Sequence, residues 1–412
     1  MDGVERIAAR DGRAFGAAYF LSNFGYEVLF FSMTVRVYDI SRKAINVGVL
    51  AAITLLPKIL SPAYGLFVDR AGARRALSAG SVATALLAAC LSAVGSLGGL
   101  YALWAILSVL FMVSSNARTV LMTRVASGGY LGANAAAFSL MSSARLAAPL
   151  LAGLLSRSMG ADRIMLLAAL VYCLCAASAL LVSGARGDRR DLSGAPADGE
   201  KARPGRSPGI FAQLAEGFAR IRGSSGLKRL IGISMIRNFF VGFAPGLLIV
   251  LVSSVPGRTS ADYGIAAAAS ALGALAGSLA GPSLVRLLRP DAVAFAGLGL
   301  HFASFVFLGL APSSPLVLVV AVLAAGSFSL YSAAIVLHSR RDAATELTTR
   351  GRVYGANTTI QTLPALLSLI VASSLADRFG VGPVFAAGGL AAIVTLAAVA
   401  FAIAGKAGGL SN

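Results

Sequence analysis

Apolar runs of about twenty residues recur along the whole chain, and the charged residues fall almost entirely between them. A helix of that length matches the ~30 Å hydrocarbon core of a bilayer at ~1.5 Å per residue. In lipid the backbone must satisfy its own hydrogen bonds, which an α-helix does. The runs predict twelve transmembrane helices, at 14–35, 45–68, 76–97, 99–122, 137–158, 162–184, 230–253, 263–283, 292–311, 316–338, 356–376 and 384–404. Composition agrees: 57% of the 412 residues are hydrophobic and 13% are charged, more apolar sequence than a soluble domain uses. The expected fold class is therefore an all-α, multi-pass membrane protein.

The net charge of +18 raises nucleic acid as a partner, but the placement of the charges argues against it. Arg6, Arg10, Arg13, Arg70, Arg74, Arg75, Arg118 and Arg124, the basic residues of 186–229, and Arg286, Arg289, Arg340, Arg341, Arg350, Arg352 and Lys406 share one side of the predicted membrane. The other side holds only Arg36, Arg42, Lys43, Arg157, Arg163, Arg258 and Arg378. The positive-inside rule then places both termini in the cytoplasm. Arg118 and Arg124, at the end of the fourth span, are expected to snorkel to that surface. The first apolar run is too long for a signal-peptide core, so no cleaved leader is expected. Cys90, Cys173 and Cys175 lie in apolar runs and read as small hydrophobes rather than metal ligands or a disulfide.

Residues 185–206 are rich in Gly, Pro, Ala and charges of both signs, the composition of a flexible linker. Ile210, Phe211, Leu214, Phe218 and Ile221 then follow at the spacing of an amphipathic helix on the membrane surface. The expected organisation is a six-helix bundle over 1–184, a cytoplasmic linker with this helix over 185–229, and a second six-helix bundle over 230–412. The halves repeat in order and direction. Ser22-Asn23-Phe24 answers Arg237-Asn238-Phe239 at an offset of 215, and Gly48 and Gly65 answer Gly264 and Gly281 at 216. Gly132-Ala133-Asn134 answers Gly355-Ala356-Asn357 at 223. A parallel repeat of this kind relates two bundles by a pseudo-two-fold axis along the membrane normal.

The link after the second span reads Gly65-Leu66-Phe67-Val68-Asp69-Arg70-Ala71-Gly72-Ala73-Arg74-Arg75. Gly72 permits a tight turn, and Asp69 suits a helix N-terminus. The string G-x-x-x-D-R-x-G-x-R-R resembles the loop between helices 2 and 3 of the major facilitator superfamily of secondary transporters. Leu56-Pro57 and Ser61-Pro62 before it, Leu131-Gly132-Ala133-Asn134 before the fifth span and Arg350-Gly351-Arg352-Val353 before the eleventh resemble its macrolide-efflux and enterobactin-exporter branch. Arg145-Leu146-Ala147-Ala148-Pro149-Leu150-Leu151-Ala152-Gly153 is similar to the helix-5 antiporter motif, with alanines at two of its glycines. The resemblance implies the fold of that superfamily and gives Gly65, Asp69, Arg70, Gly72 and Arg74 the role of a conformational gate between the halves. It also implies proton-coupled export of an amphipathic small molecule, such as a drug, macrolide or siderophore, by alternating access. The implied setting is the bacterial cytoplasmic (inner) membrane, with a small-molecule substrate, protons and the lipid bilayer as partners.

Ionisable residues within spans are functional candidates by default. Counting ~1.5 Å per residue puts Asn23, Arg145 and Arg237 roughly 10–14 Å from the cytoplasmic edge, and Glu27 about 20 Å in. Lys58 lies about 15 Å from the other end of its helix. Glu27, the one acid at depth, is a candidate proton carrier, because burial and a neighbouring cation pull its proton affinity in opposite directions. The plainer alternative is an ion pair with Lys58 or Arg145 that only joins helices. Lys58, Arg145 and Arg237 are candidate partners for Glu27 or for a substrate anion. Asn23 and Asn238, matched by the repeat, are candidates to line a central cavity or to clamp neighbouring helices. Tyr19, Tyr26, Phe30, Phe31, Phe240, Phe243 and Tyr331 are candidates for an aromatic wall. His301 and His338 stand far apart, His301 reads as structural, and no catalytic set is visible, so no enzyme is expected. Nothing in the sequence calls for a cofactor or an oligomer, and a monomer is expected. An importer of a small anionic solute, or a membrane sensor or scaffold on the same fold, are the rival readings.

Overall fold

The computed structural model describes residues 2–408 apart from 61–63, 65, 66, 69, 126–129, 183–209 and 346–349. Every regular element among them is helical. Helix α1 (Asp2–Ser41) is followed by α2 (Ala44–Leu55), a 3-10 turn (Leu56–Leu60), α3 (Ala73–Ala93), α4 (Leu97–Val125), α5 (Tyr130–Leu155) and α6 (Ala161–Leu181). Then come α7 (Ile210–Gly223), α8 (Ser225–Val241), α9 (Phe243–Ser253), α10 (Ser260–Leu287), α11 (Pro290–Leu310), α12 (Leu316–Ala343), α13 (Arg350–Phe379) and α14 (Val381–Gly408). Ten stretches among the described residues are long and apolar enough to cross a membrane, one of them running through α8 and α9, and Ala44–Ile59 is a shorter apolar helix. With α1 these supply the twelve spans.

Two breaks have local causes. Pro57 lacks the N–H that would continue the ladder of α2, and the chain tightens into the 3-10 turn that carries Lys58. At Gly242, α8 gives way to α9; Pro245 cannot donate to the carbonyl of Val241, four residues back. Gly242 also lies where a Cβ would strike the Ser368 side chain of α13. The first span is longer than the hydropathy window suggested, because α1 runs on through Arg36 to Ser41.

Within the first half α1 packs on α4, α5 and α6, and α3 packs on α4 and α6; in the second, α10 and α11 pack on α12, and α11 on α14. Gly273, Gly277 and Gly281 form a small-residue stripe at four-residue spacing. It brings α10 so close to α12 that a Cβ on Gly273 or Gly277 would collide with the backbone of Ala324 or Phe328. Each half uses an arginine just past its first span to tie a link. Arg36 donates to the carbonyls of Ser92 (3.1 Å) and Val94 (2.7 Å) at the end of α3 and pairs with Asp162 at the start of α6. Arg258 donates to the carbonyls of Pro312 (3.3 Å) and Ser314 after α11. These charge-assisted bonds satisfy carbonyls that the helix ends leave open.

The halves meet through α2 against α13 and α5 against α10. At the end bearing the α1–α2 link the contacts are backbone-close. A Cβ on Gly48 would strike Ser373 and the carbonyl of Leu369 (2.9 Å), and one on Gly153 would lie 2.9 Å from Cα of Gly264. Gly48 and Gly264 form one of the glycine pairs that the internal repeat matched, and each is a point where one half touches the other. Ser156 Oγ and Ser260 Oγ share a 2.7 Å hydrogen bond there, and Phe31 stacks on Tyr263 at 5.2 Å. Asp377, at the end of α13, accepts from the N–H groups of Ala44 (2.6 Å) and Ile45 (2.9 Å) and so caps α2 from the opposite half. This end of the molecule is sealed.

The amphipathic segment expected at Ile210–Ile221 is helix α7, and its Ile221 packs with Ile231, Val353 and Ala356 of α8 and α13. The flexible linker expected at 185–206 lies outside the described residues.

Candidate functional site

Beneath the seal lies a cavity of about 420 Å³, bounded by α1, α5, α9, α10, α11 and α12. Its wall follows α10 from Tyr263 to Ser278, roughly 22 Å at 1.5 Å per residue, and α5 from Phe138 to Pro149. The lining is largely apolar and aromatic, with Phe30, Phe31, Phe138, Tyr263, Phe305 and Tyr331 among its members. Polar groups are few: Glu27, Arg145, His301 and several serines. Concave, mostly apolar walls with a small number of placed polar groups are the usual form of a small-molecule site.

Glu27 of α1 and Arg145 of α5 face each other across this cavity, with Arg145 Nε donating to Glu27 Oε1 at 3.3 Å. One long contact joins them, rather than the paired fork that an arginine and a carboxylate can form. The Arg145 side chain is 49% exposed and that of Glu27 26%. The acid and the base therefore pair loosely and remain open to a third group. Tyr26, next to Glu27, turns the other way and stacks between Trp104 (5.7 Å) and Phe111 (3.7 Å) in the core of the first half.

The other candidates are placed differently. Asn23 is buried and bonds back to the Tyr19 carbonyl of its own helix (2.7 Å), outside the cavity wall. Arg237 is also buried and donates to Asn238 Oδ1 at 3.0 and 3.2 Å. Asn238 then donates to Gln361 Oε1 (2.8 Å), and Gln361 to Asn357 Oδ1 (2.6 Å), so the chain of bonds clamps α8 to α13. Neither Arg237 nor Asn238 lines the cavity. Lys58 is exposed on the 3-10 turn and also stands outside the lining. Of the seven aromatic candidates, Phe30, Phe31 and Tyr331 line the cavity, whereas Phe240 and Phe243 pack with Phe302 and Phe239.

Arg118 corrects an expectation. It does not snorkel; it is 3% exposed, donates to Ser22 Oγ and lies over the rings of Phe111 (5.1 Å) and Tyr19 (5.4 Å). Phe111 and Arg118 are seven residues apart and share a helix face, so the inward direction was readable from the spacing. The cysteines also divide: Cys175 is buried beside Ser81 (3.3 Å), while Cys90 and Cys173 are exposed. His301, expected to be structural, lines the cavity.

In the loop motif, Gly65 and Asp69 lie outside the described residues. Gly72 has φ +83°, a region that an L side chain enters at a cost, and it opens α3. Arg70 is exposed. Arg74 donates to the carbonyl of Leu180 and fastens the start of α3 to the end of α6.

Comparison with known proteins agrees with this architecture. The family model described as Major Facilitator Superfamily matches residues 15–367. The crystal structure of the nucleoside transporter NupG superposes with a TM-score of 0.76 at 11% identity, covering 94% of this chain and 98% of that one. A POT family transporter in complex with 5-aminolevulinic acid gives 0.74 at 13%, covering 95% and 96%. A bacterial homologue of the human lysosomal transporter Spinster, in an inward-facing and unoccupied conformation, gives 0.68 at 12%, again covering 95% and 96%. No curated protein matches in sequence. The chain belongs to the Major Facilitator Superfamily, a family of membrane transporters, and shares the fold of these solved structures.

Proposed function

We propose that this transporter exchanges protons for an amphipathic small molecule and exports it across the bacterial cytoplasmic membrane, with both termini in the cytoplasm. The single observation that carries the reading is the loose Glu27–Arg145 pair, exposed to a cavity that lies between the two halves and below a seal. A solute bearing a cationic group and an acidic group meets Glu27 with the first and Arg145 with the second. Proton and cationic group then compete for one carboxylate, and that competition makes exchange obligatory. With the basic links on the cytoplasmic side, the sealed end faces outward and the conformation is inward-facing.

The gate role goes to the loop motif, with Gly65, Asp69, Arg70, Gly72 and Arg74 engaging the opposite half when the outer end opens. Residues 1–184 and 230–412 act as the rocking bundles, and 185–229 connects them. The cavity volume suits a compact drug-like solute better than a macrocycle. Arg237 and Asn238 serve as a clamp in the second half rather than as substrate ligands.

A second reading rests on the greater exposure of Arg145. A purely anionic solute would occupy Arg145 and leave Glu27 free to take up a proton, so that solute and proton travel together, as in an importer. Counterflow in proteoliposomes tests transport itself. Vesicles preloaded with unlabelled solute accumulate the labelled form transiently without any ion gradient. The panel comprises zwitterions, both lipophilic ones and 5-aminolevulinic acid, with lipophilic amines, small aromatic acids and nucleosides. Overshoot with any member, abolished by locking the sealed end with a disulfide in the Ser156→Cys, Ser260→Cys variant, supports alternating access. Uptake that never exceeds equilibrium with every member counts against it.

A further inference from the structure

The cavity has a second polar pole, in the other half of the molecule from Glu27 and Arg145. His301 of α11 lines the wall and is 5% exposed. Its Nδ1 lies 2.9 Å from the carbonyl oxygen of Gly326 on α12. A carbonyl only accepts, so Nδ1 carries the proton and donates; Nε2 of the neutral ring is left as an acceptor. Nε2 is buried and has no hydrogen-bond partner among the described residues. The ring is held in place: Phe302 and Phe305 pack on it at 5.1 and 4.7 Å, and a Cβ on Gly326 would meet Ser304 and approach Nδ1 to 3.5 Å. Ser304, on the same wall, donates to the His301 carbonyl (2.5 Å) and is already committed. A fixed acceptor buried without a partner is costly, and a ligand that supplies a donor recovers that cost.

We infer that His301 is the anchor of a second substrate subsite, one that receives a hydrogen-bond donor, a hydroxyl or N–H, at the end of the solute remote from its charged groups. The inference rests on the reading of this cavity as the transport site and adds to it the chemistry of the far end. The solute is then a molecule with a charged head for Glu27 and Arg145, an apolar or aromatic body for Phe30, Phe31 and Tyr263, and a neutral donor for His301. Such a solute touches α1 and α5 of one half and α11 of the other. Contact with both halves at once is what gives a ligand differential affinity for the two arrangements of a rocking transporter.

The test uses the whole protein in lipid, labelled with 15N-histidine and 13C-tyrosine, with phenol and anisole as probes. The two rings are near-isosteric, but only phenol has a donor. The chain has only two histidines, and His338→Asn assigns the spectrum. The expected result is an Nδ1-protonated His301 whose Nε2 resonance moves with phenol and stays with anisole, while Tyr263 and Tyr331 respond to both. His301→Phe should then lower the preference for phenol over anisole by roughly two- to tenfold. An Nε2-protonated ring, or an Nε2 response that is the same for both probes while the tyrosines respond, overturns the subsite and leaves the cavity reading intact. Tyrosines that respond to neither probe overturn the cavity as a ligand chamber and the subsite with it.

Discussion

The crossing of α5 and α10 gives the sharpest test of how the molecule changes shape. A Cβ on Gly264 would lie 2.8 Å from Cα of Gly153 and closer still to the carbonyl of Pro149. Both obstacles are backbone, so no rotamer change relieves the clash. To reach ordinary contact near 3.5 Å the helices must part by roughly 1 Å. Forcing extra atoms into a packed contact costs about 1–3 kcal/mol. The cost falls only on the arrangement in which this end is sealed. Gly264→Ala should therefore shift the balance toward the form open at this end by about 5- to 150-fold, with the larger Gly264→Val at the upper limit. The assay is electron–electron distance measurement between spin labels at Arg157 and Ser254, which are exposed on either side of the crossing, with Cys90, Cys173 and Cys175 replaced by serine. A longer, broader distance distribution in the glycine variants is the expected result. Distributions identical to the parent protein's, in variants that remain folded, would refute the close-packed crossing as the element that holds this end shut.

Asp377 should act on the same equilibrium through α2. Asp377→Ala removes a cross-half helix cap worth about 0.5–2 kcal/mol, and labels on α2 and α13 at the sealed end should move apart; unchanged distances would count against it. Gln361→Leu breaks the bond chain that joins Asn238 to Asn357 and leaves Asn238 without its acceptor. It should lower thermal stability by about 1–3 kcal/mol with substrate affinity unchanged, and a selective loss of affinity would return Asn238 to the binding site. Arg118→Met should perturb the first half less than Arg118→Ala, because the apolar side chain keeps contact with Phe111 and Tyr19 while removing a buried charge. Equal melting temperatures in the two variants would contradict that account.

The spans were legible in the sequence, because long apolar runs at ~1.5 Å per residue mark them. Azimuth was less so. Counting placed Arg145, Arg237 and Glu27 at depth, but Arg237 turns to Asn238 and α13 while Arg145 turns to Glu27. Lys58 defeats the counting, since the 3-10 turn at Leu56–Leu60 ends the regular helix on which the rise was reckoned. The repeat carried more than expected: Gly48 and Gly264, matched only as glycines, are the close approaches between the halves. His301 read as structural in the sequence, in a span that is peripheral in this fold. Its open nitrogen follows from the Gly326 carbonyl on another helix, which no local pattern encodes.

The most direct test of the central claim is proton movement in everted membrane vesicles. A gradient is established, a solute that gives counterflow is added, and a pH-sensitive dye is followed for the parent protein and for Glu27→Gln. The account predicts that the solute dissipates the gradient with the parent protein and not with Glu27→Gln, which remains folded. Equal dissipation by both proteins would make the Glu27–Arg145 pair a structural tie and place the proton elsewhere.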